Sequence, residues 1–429
     1  MKRTYISNVK PGQDVKISGF VENIRNKRAM AFLVIRDITG KIQVTVEKSA
    51  HPEMEDALNA ITLDTVVTIT GSAVANDHVK LGGKEILPTA LTVESIAEAL
   101  PIQEDSAIDH RMDYRWVDLR SERNQLIFKV QSCISDSLRK TLIDENFIEI
   151  HSPKIINAAS ESGADVFALE YFDRQAYLAL SPQFYKQMAM AAGFERVFEF
   201  GPVFRAEKSH TNKHATEFTG FDIEMGHIES YRDVMHMQEK LMTNMLAAVS
   251  EKHGEDVKRL FDVDIVVPTT PFPVMTLAEV YAELQSRYGF TAPDGETGDL
   301  TTEAEQLCKK LAQDKFNHEF LFVTDYGPEK RAFYHMRDEH GIPQGYDLIW
   351  KGIEITTGAQ REHRFSQLKT QADERGLGGD VKHYLEFFKY GCPPHGGFGT
   401  GLDRITMIAL DIAIKEVMFL FRGPNRLTP

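Results

Sequence analysis

Residues 201–226 read GPVFRAEKSHTNKHATEFTGFDIEMG, and this stretch decides which fold the rest of the chain is compatible with. Two mostly apolar runs flank a polar loop rich in Lys, His, Ser and Asn, a pattern that predicts two strands joined as a hairpin with a long tip. Arg205 lies late in the first predicted strand, and Phe218 opens the second. A guanidinium beside an aromatic ring suits a nucleotide, because the guanidinium pairs with phosphate and the ring stacks on a base. A surface ion pair on a hairpin is the simpler explanation of the same residues.

The composition is typical of a soluble protein with more than one core. The chain has 429 residues, of which 42% are hydrophobic and 26% are charged, so we expect two or three globular domains. It has no apolar run of about 18 residues and no apolar signal core near its first residue, which predicts a cytosolic protein with no membrane partner. Cys133, Cys308 and Cys392 are too scattered to predict a disulfide framework or a zinc site, and we expect them to be packing residues.

The charge is distributed unevenly along the chain. The formal net charge of -14 counts against nucleic acid as a partner. Between Lys16 and Lys48, however, seven Lys or Arg residues stand against three Asp or Glu residues. This local positive excess is compatible with one confined nucleic-acid face.

Residues 1–97 predict a small β-barrel. Short alternating β-rich runs are separated by turn residues, with one helical segment, PEMEDALNAI, after the third run. That order is typical of an OB-type Greek-key barrel. Arg25, Phe32 and Gln43 fall on the first three strands, and a cation, a ring and an amide together suit unstacked bases. A barrel that serves only as a spacer would show the same strand pattern.

Residues 98–124 are polar without a sustained period and predict a hinge, and residues 125–429 predict a second, larger domain. Apolar residues recur at helical spacing from Gln125 to Asn146 and again over 228–253, which predicts two long helices. Pro153 interrupts an extended segment between them, which favours a sheet edge or an interface.

Polar groups that suit phosphate chemistry are scattered over this second domain. Asp347 and Glu354 lie on neighbouring predicted strands and could share Mg²⁺, which prefers oxygen ligands. Together with Arg205 and Arg404 at predicted sheet edges, they would stabilise charge on a transferring phosphorus without a covalent nucleophile. A glycine-rich stretch would let backbone and phosphate approach closely, or would only make a tight turn into a helix. Its glycines are Gly396, Gly397, Gly399 and Gly401.

Three of these motifs together resemble those of class II aminoacyl-tRNA synthetases. They are the strand ending at Pro153, FRAE followed by HATEF, and GLDR at 401–404. The barrel ahead of them resembles the aspartyl, asparaginyl and lysyl subgroup, and SPQFYKQ with TTGAQREHR is similar to its aspartyl branch in the compact archaeal and eukaryotic form. The resemblance implies an α+β fold, with an OB-fold anticodon-binding domain at 1–97 and an antiparallel-sheet catalytic domain at 125–429.

The resemblance also implies roles for single residues. Arg205 and Arg404 would be catalytic, Pro153 would belong to a homodimer interface, and the partners would be ATP, L-aspartate, Mg²⁺ and tRNA-Asp. The implied ATP site is Arg205, Glu207, His214, Phe218, Glu354, Gly401 and Arg404. The implied aspartate site is Glu161, Gln183, Lys186 and Arg361, the metal ligands are Asp347 and Glu354, and the anticodon residues are Arg25, Phe32 and Gln43.

The choice of amino acid depends mainly on Lys186. A buried Lys186 and Arg361 facing a neutral amide would leave positive charge uncompensated, and truncating one partner of a buried charge pair costs about 2–5 kcal/mol. Aspartate is therefore favoured, and asparaginyl-tRNA synthetases, which resemble this region, lack the lysine. Two competing hypotheses are a non-catalytic RNA-binding paralogue and an adenylating relative that uses no tRNA.

The range of tRNA substrates stays open. The aspartate and asparagine anticodons differ only at the third base, so a relaxed barrel would accept both tRNAs. Glu22 on the first strand and the loop around Lys80 to Lys84 lie where the resemblance puts this choice. An acid at position 22 offers no means of selecting that base, which favours the relaxed form.

Overall fold

The computed structural model describes residues 1–157, 166–206, 215–293, 295 and 298–429. It divides into two compact units, Met1–Leu119 and Arg120–Pro429. The division falls inside the segment predicted as a hinge, and the hinge itself stays a prediction. Within the described ranges, no helix is both long and apolar enough to cross a membrane.

The first unit is a closed five-stranded barrel with strand order β1-β2-β3-β5-β4. Alternate residues face inward, so that Val15, Ile17 and Leu33 are buried while Phe32 lies on the outer face. The predicted OB-type barrel and the helix after its third strand are confirmed. Its elements are β1 (Asp14–Asn26), β2 (Met30–Asp37), β3 (Gly40–Glu47), α1 (Glu55–Ala60), β4 (Val66–Ala75), β5 (Lys84–Ser95), α2 (Ile108–Asp113) and α3 (Arg115–Asp118).

The second unit is built on a large, mainly antiparallel sheet with helices against it. Its helices are α4 (Glu122–Asp144), α5 (Gln183–Ala191), α6 (Tyr231–Phe261), α7 (Leu277–Tyr288), α8 (Thr302–Phe316), α9 (Phe365–Glu374), α10 (Lys382–Glu386), α11 (Leu402–Leu410) and α12 (Ile414–Val417). Its strands are β6 (Ile148–Glu149), β7 (Ile155–Ile156), β8 (Ala168–Tyr171), β9 (Arg174–Leu178), β10 (Arg196–Phe204), β11 (Glu217–Gly226), β12 (Val274–Thr276), β13 (Phe320–Thr324), β14 (Gly345–Trp350), β15 (Ile353–Arg361) and β16 (His395–Gly401).

In the described part of the chain, eight of these strands form one sheet in the order β12-β13-β14-β15-β16-β11-β10-β6, and β7-β9-β8 form a small second sheet. The β12–β13 and β10–β6 pairs are parallel, and the other pairs of the large sheet are antiparallel. The helices α4 and α6 pack on this sheet through Leu138 and Leu241, which are both fully buried. The predicted α+β architecture is confirmed.

Gly397 and Gly399 show why the middle of the sheet contains so many glycines. A Cβ at Gly397 would overlap the Ile223 carbonyl and the Glu224 carboxylate, and one at Gly399 would lie 2.6 Å from Asp222 Oδ2. The glycines were predicted to allow close approach of phosphate. At these two positions, acidic side chains of the neighbouring strand β11 approach the glycines instead.

Candidate active site

A cavity of about 480 Å³ opens over the central strands of the large sheet. Strands β10, β11, β15 and β16 contribute its floor, and α5, α11 and residues 330–335 add further lining residues. The cavity brings together side chains that are far apart in the sequence. The predicted site residues that line it are Gln183, Arg205, Phe218, Glu354, Arg361, Gly401 and Arg404.

The β10–β11 hairpin places Arg205 beside Phe218. The two strands pair Val203 with Phe218, and the backbone N–H of Arg205 donates to the Thr216 carbonyl at 2.9 Å. As a result, the Arg205 guanidinium carbon lies 5.3 Å from the centre of the Phe218 ring. The hairpin therefore presents the cation and the ring together, as its sequence predicted.

Arg404 lies in the first turn of α11, directly after β16. Its guanidinium donates to the backbone carbonyl of Glu354 at 3.2 Å, which ties α11 to β15. Gly401 precedes the helix, and a Cβ there would lie 3.6 Å from the Phe218 ring. This end of the cavity thus combines two guanidinium groups with one aromatic surface.

The two predicted metal ligands are in different environments. Asp347 is buried, is not among the cavity-lining residues, and accepts two hydrogen bonds from Arg331 at 2.8 and 2.6 Å. Glu354 lines the cavity, and its carboxylate accepts from the Thr357 hydroxyl at 3.2 Å. The charge of Asp347, together with burial, raises the pKa of Glu354 to about 7.

The raised pKa of Glu354 means that the charge of Asp347 and burial outweigh the opposing charges of Arg331 and Arg404. A further cation at this carboxylate would therefore favour its ionised form. Oxygen ligands on adjacent strands fit a divalent cation, with Glu354 available and Asp347 held by Arg331. Among the described residues, no three His, Cys, Asp or Glu side chains are grouped closely enough to hold a metal by themselves.

Lys186 and Arg361 belong to one buried network of charges. Lys186 on α5 is only 2% exposed and donates to Asp222 at 2.8 Å and to the Phe398 carbonyl at 3.0 Å. Arg361 at the end of β15 donates to Glu224 at 3.1 Å and to the Gly397 carbonyl at 2.9 Å. Lys186 is not among the cavity-lining residues, whereas its partner Asp222 is.

The two acids of this network, Asp222 and Glu224, were not predicted from the sequence. Lys186 also lies 3.4 Å from Glu224, so two cations are balanced by two carboxylates before any substrate binds. Burial raises the pKa of Glu224, but Arg361 and Lys186 outweigh this effect and hold it below the ordinary value. The available signal was the segment FDIEM, where acids alternate with apolar residues and so share one face of the strand.

Tyr334 and His335 line the cavity next to Arg361 and were also missed. The Arg361 guanidinium carbon lies 5.4 Å from the Tyr334 ring centre, and one of its nitrogens lies 3.4 Å from His335 Nε2. His335 is buried, and burial together with the charge of Arg361 holds its pKa well below the ordinary value. Three of the predicted residues, Glu161, Glu207 and His214, lie outside the described residues.

Arg25, Phe32 and Gln43 come together on the outer face of the barrel. Arg25 pairs with Phe32 across β1 and β2, and its guanidinium carbon lies 5.3 Å from the ring centre. The side-chain amide of Gln43 donates to Glu85 at 3.0 Å and to Thr45 at 3.1 Å. A cation, a ring and an amide therefore lie on three adjacent strands, as the sequence predicted.

Residues 107–422 match the family of tRNA synthetases class II (D, K and N). The chain belongs to the class II tRNA synthetases. Residues 15–94 of this synthetase separately match the OB-fold nucleic acid binding domain. As a member of the family, the synthetase is an ATP-dependent enzyme that joins an amino acid to tRNA, which confirms the resemblance found in its motifs.

Full-length relatives of the synthetase carry two slightly different names. The aspartate–tRNA(Asp/Asn) ligase of Methanopyrus kandleri is 39% identical, and the match covers 100% of both chains. The aspartate–tRNA(Asp) ligase of Pyrococcus abyssi is 38% identical over 97% of each chain. The solved structure of asparaginyl-tRNA synthetase from Pyrococcus horikoshii complexed with asparaginyl-adenylate has a TM-score of 0.92, with 29% identity and 100% coverage of both chains.

Proposed function

We propose that the chain activates L-aspartate with ATP, forming aspartyl-adenylate, and transfers the aspartyl group to the 3'-end of tRNA-Asp. The observation that carries this proposal is the shared cavity. Arg361 and Asp222, the partner of Lys186, line one part of it, and the other part is lined by Arg205, Phe218 and Arg404. One part suits an amino acid with a carboxylate side chain, and the other suits a nucleoside triphosphate. Full-length relatives named as aspartate–tRNA ligases support the same assignment.

For ATP, each residue has the role that the resemblance to class II synthetases implies, and its chemistry suits that role. Phe218 stacks on the adenine, Arg205 pairs with the α-phosphate, and Arg404 pairs with the γ-phosphate. The α-carboxylate of aspartate then attacks the α-phosphorus in line, and pyrophosphate leaves toward Arg404. Mg²⁺ held by Glu354, with Asp347 behind it, would neutralise phosphate charge when bound.

For aspartate, Arg361 takes the side-chain carboxylate, with Lys186 and Asp222 setting the charge beside it. Gln183 at the start of α5 and Glu161 take the α-ammonium group. Transfer to the 3'-hydroxyl of tRNA then depends chiefly on holding the adenylate and the terminal adenosine in reacting positions.

Asparagine activation is the second candidate, because the solved asparaginyl enzyme has nearly the same fold. The balanced charges around Lys186 change the reason for preferring aspartate. The lysine does not face the substrate as an isolated cation, and it acts by keeping Asp222 from repelling a second carboxylate. Replacing this lysine with a neutral residue would leave Asp222 to disfavour aspartate.

The barrel binds the anticodon through Arg25, Phe32 and Gln43, and tRNA-Asn is a second tRNA substrate. Glu22 supports this wider range, because its carboxylate is paired with Lys41 at 2.9 Å and Arg36 at 3.5 Å. A carboxylate held in this way offers little selection between two bases. The second unit forms a homodimer, which the half-exposed Ile148 and Ile155 on either side of Pro153 support.

The test of the activation step is exchange of labelled pyrophosphate into ATP by the purified full chain without tRNA. We expect exchange that depends on aspartate and Mg²⁺, with asparagine giving little. Exchange that depends on asparagine would move the chain to the second candidate, and no exchange with either amino acid would contradict adenylate formation.

A further inference from the structure

Behind Gln183, a chain of hydrogen bonds leads from the cavity wall into the protein interior. Gln183 Nε2 donates to Gln187 Oε1 at 2.9 Å, and the Tyr384 hydroxyl donates to the same oxygen at 2.9 Å. Gln187 Nε2 then lies 2.9 Å from His395 Nε2, and His395 Nδ1 lies 2.8 Å from the Pro393 carbonyl. Gln187 and His395 are both 0% exposed. The two inner members, Gln187 and His395, are therefore held by protein partners rather than by bulk water.

The Pro393 carbonyl fixes the direction of every hydrogen bond in this chain. A carbonyl oxygen only accepts, so His395 carries its proton on Nδ1 and leaves Nε2 as an acceptor. Gln187 must then point its amide nitrogen toward His395 and its carbonyl oxygen toward Tyr384 and Gln183. Gln183 in turn must donate its amide nitrogen inward.

His395 has to be neutral for this order to hold. Burial lowers the pKa of His395 to about 4, so the ring is neutral at neutral pH. Ring packing keeps the two aromatic members in place, since His395 stacks against Phe388 with centroids 6.0 Å apart and Tyr384 stacks on Phe184 at 4.3 Å. The order of donors and acceptors is therefore built into the fold.

We propose that Gln187, oriented by His395 and Tyr384, is a positioning residue that holds the Gln183 carbonyl oxygen toward the cavity as the acceptor for the α-ammonium group of the substrate. This inference rests on the proposed function, in which Gln183 contacts the amino acid. An amide is nearly symmetric in shape, so an unheld Gln183 would also present its NH₂ group, which repels an ammonium ion. The interaction that would be lost is a hydrogen bond to a charged group.

The test compares aspartate with succinate, which has the same two carboxylates and no ammonium group. In Gln187→Met, we expect the KM for aspartate in pyrophosphate exchange to rise about 10- to 100-fold. Competitive inhibition by succinate and the KM for ATP stay within about twofold of wild type. Equal weakening of aspartate and succinate, or an unchanged KM for aspartate, would overturn the inference.

A matched control is available in Gln238→Met. Gln238 is also 0% exposed and bridges Tyr346 and Thr356, but it has no contact with Gln183. The Gln238→Met variant removes an equally buried amide, so it reports general loosening of the fold. We expect its ratio of the KM for aspartate to the inhibition constant of succinate to stay at the wild-type value. Tyr384→Phe, which removes one donor to Gln187 while keeping the ring, gives a smaller effect in the same direction and serves if Gln187→Met does not fold.

Rescue gives a second, independent readout. A carboxylate presents an oxygen whichever way it rotates, so adding Gln183→Glu to Gln187→Met restores aspartate affinity relative to Gln187→Met. Absence of rescue contradicts the orientation mechanism. If the wild-type chain activates asparagine instead, the proposed function fails, but asparagine and succinamate provide the same comparison and still test Gln187.

Discussion

Glu224 is a buried carboxylate that lies beside both cations of the buried charge network, Arg361 and Lys186. It is 0% exposed and lies 3.1 Å from Arg361 and 3.4 Å from Lys186. In Glu224→Gln, we expect the free energy of unfolding to fall by about 3–5 kcal/mol, because removing one partner leaves buried charge uncompensated. Urea unfolding measures this through the buried Trp350, in a background where the other tryptophan, Trp116, is replaced by Phe.

The control for Glu224 is an acid that is also paired with an arginine but is partly exposed. Glu149 accepts from Arg139 at 3.0 and 2.9 Å on the surface of the same unit. Because solvent screens this pair, Glu149→Gln costs about 1 kcal/mol or less. A cost for Glu224→Gln as small as that would show that the central charges do not depend on one another.

His395 gives the fold a pH dependence of known sign. Burial lowers its pKa from 6.5 to about 4, so between these values the unfolded chain binds a proton that the folded chain does not. Its contribution to stability is therefore complete above pH 6.5 and is lost as the pH falls to about 4. His395→Gln should remove about 3 kcal/mol of this decline. The measurement is the free energy of unfolding of both proteins across that range, and parallel curves would contradict it.

Individual site residues were predictable only where they form part of a recognisable motif. Arg205, Phe218 and Arg404 belong to such motifs, and all three line the cavity. Asp222 and Glu224 look like ordinary strand residues, because only the folded sheet shows that they face Lys186 and Arg361. Their role depends on contacts between segments far apart in the chain, which periodicity does not contain.

At the level of secondary-structure elements, we propose the β10–β11 hairpin as the nucleotide-binding unit. Phe218→Leu keeps an apolar side chain but removes the stacking surface. We therefore expect the KM for ATP to rise about 5- to 150-fold, which corresponds to a loss of about 1–3 kcal/mol in binding free energy. The KM for aspartate changes much less, since Phe218 lies beside Arg205 rather than Arg361. Pyrophosphate exchange at varied ATP measures both constants.

Phe200→Leu is the matched control on the same hairpin. Phe200 stacks on Phe221 with centroids 4.7 Å apart and does not line the cavity. Its substitution should leave the KM for ATP unchanged. If both variants raised that KM equally, distortion of the hairpin rather than lost stacking would be the cause.

Elements with strong periodicity were predicted well, and their ends were not. The helix predicted from Gln125 begins at Glu122, because the Ser121 side chain caps it by accepting from the Asn124 backbone N–H. The helix predicted over 228–253 extends to Phe261, because Gly254 is accommodated within it and the left-handed Asp262 ends it. Capping depends on local backbone geometry, and the apolar pattern alone does not record it.

At the scale of the whole molecule, we expect the two units to carry separable tasks. Arg25→Ala in the barrel should lower kcat/KM for tRNA about 5- to 150-fold, which corresponds to about 1–3 kcal/mol of lost interaction free energy. Pyrophosphate exchange without tRNA should stay unchanged. Lys16→Ala removes a cation from the same strand outside the Arg25, Phe32 and Gln43 set, and it should have little effect. A loss of exchange in Arg25→Ala would contradict this division of tasks.

The measurement that tests the central claim most directly is charging of separate tRNA-Asp and tRNA-Asn transcripts with labelled aspartate or labelled asparagine. We expect aspartate on tRNA-Asp and, through the relaxed barrel, on tRNA-Asn as well. Aspartate on tRNA-Asp alone would confirm the enzyme and contradict the wider tRNA range. Attachment of asparagine, or of neither amino acid, would contradict the assignment of the site to aspartate.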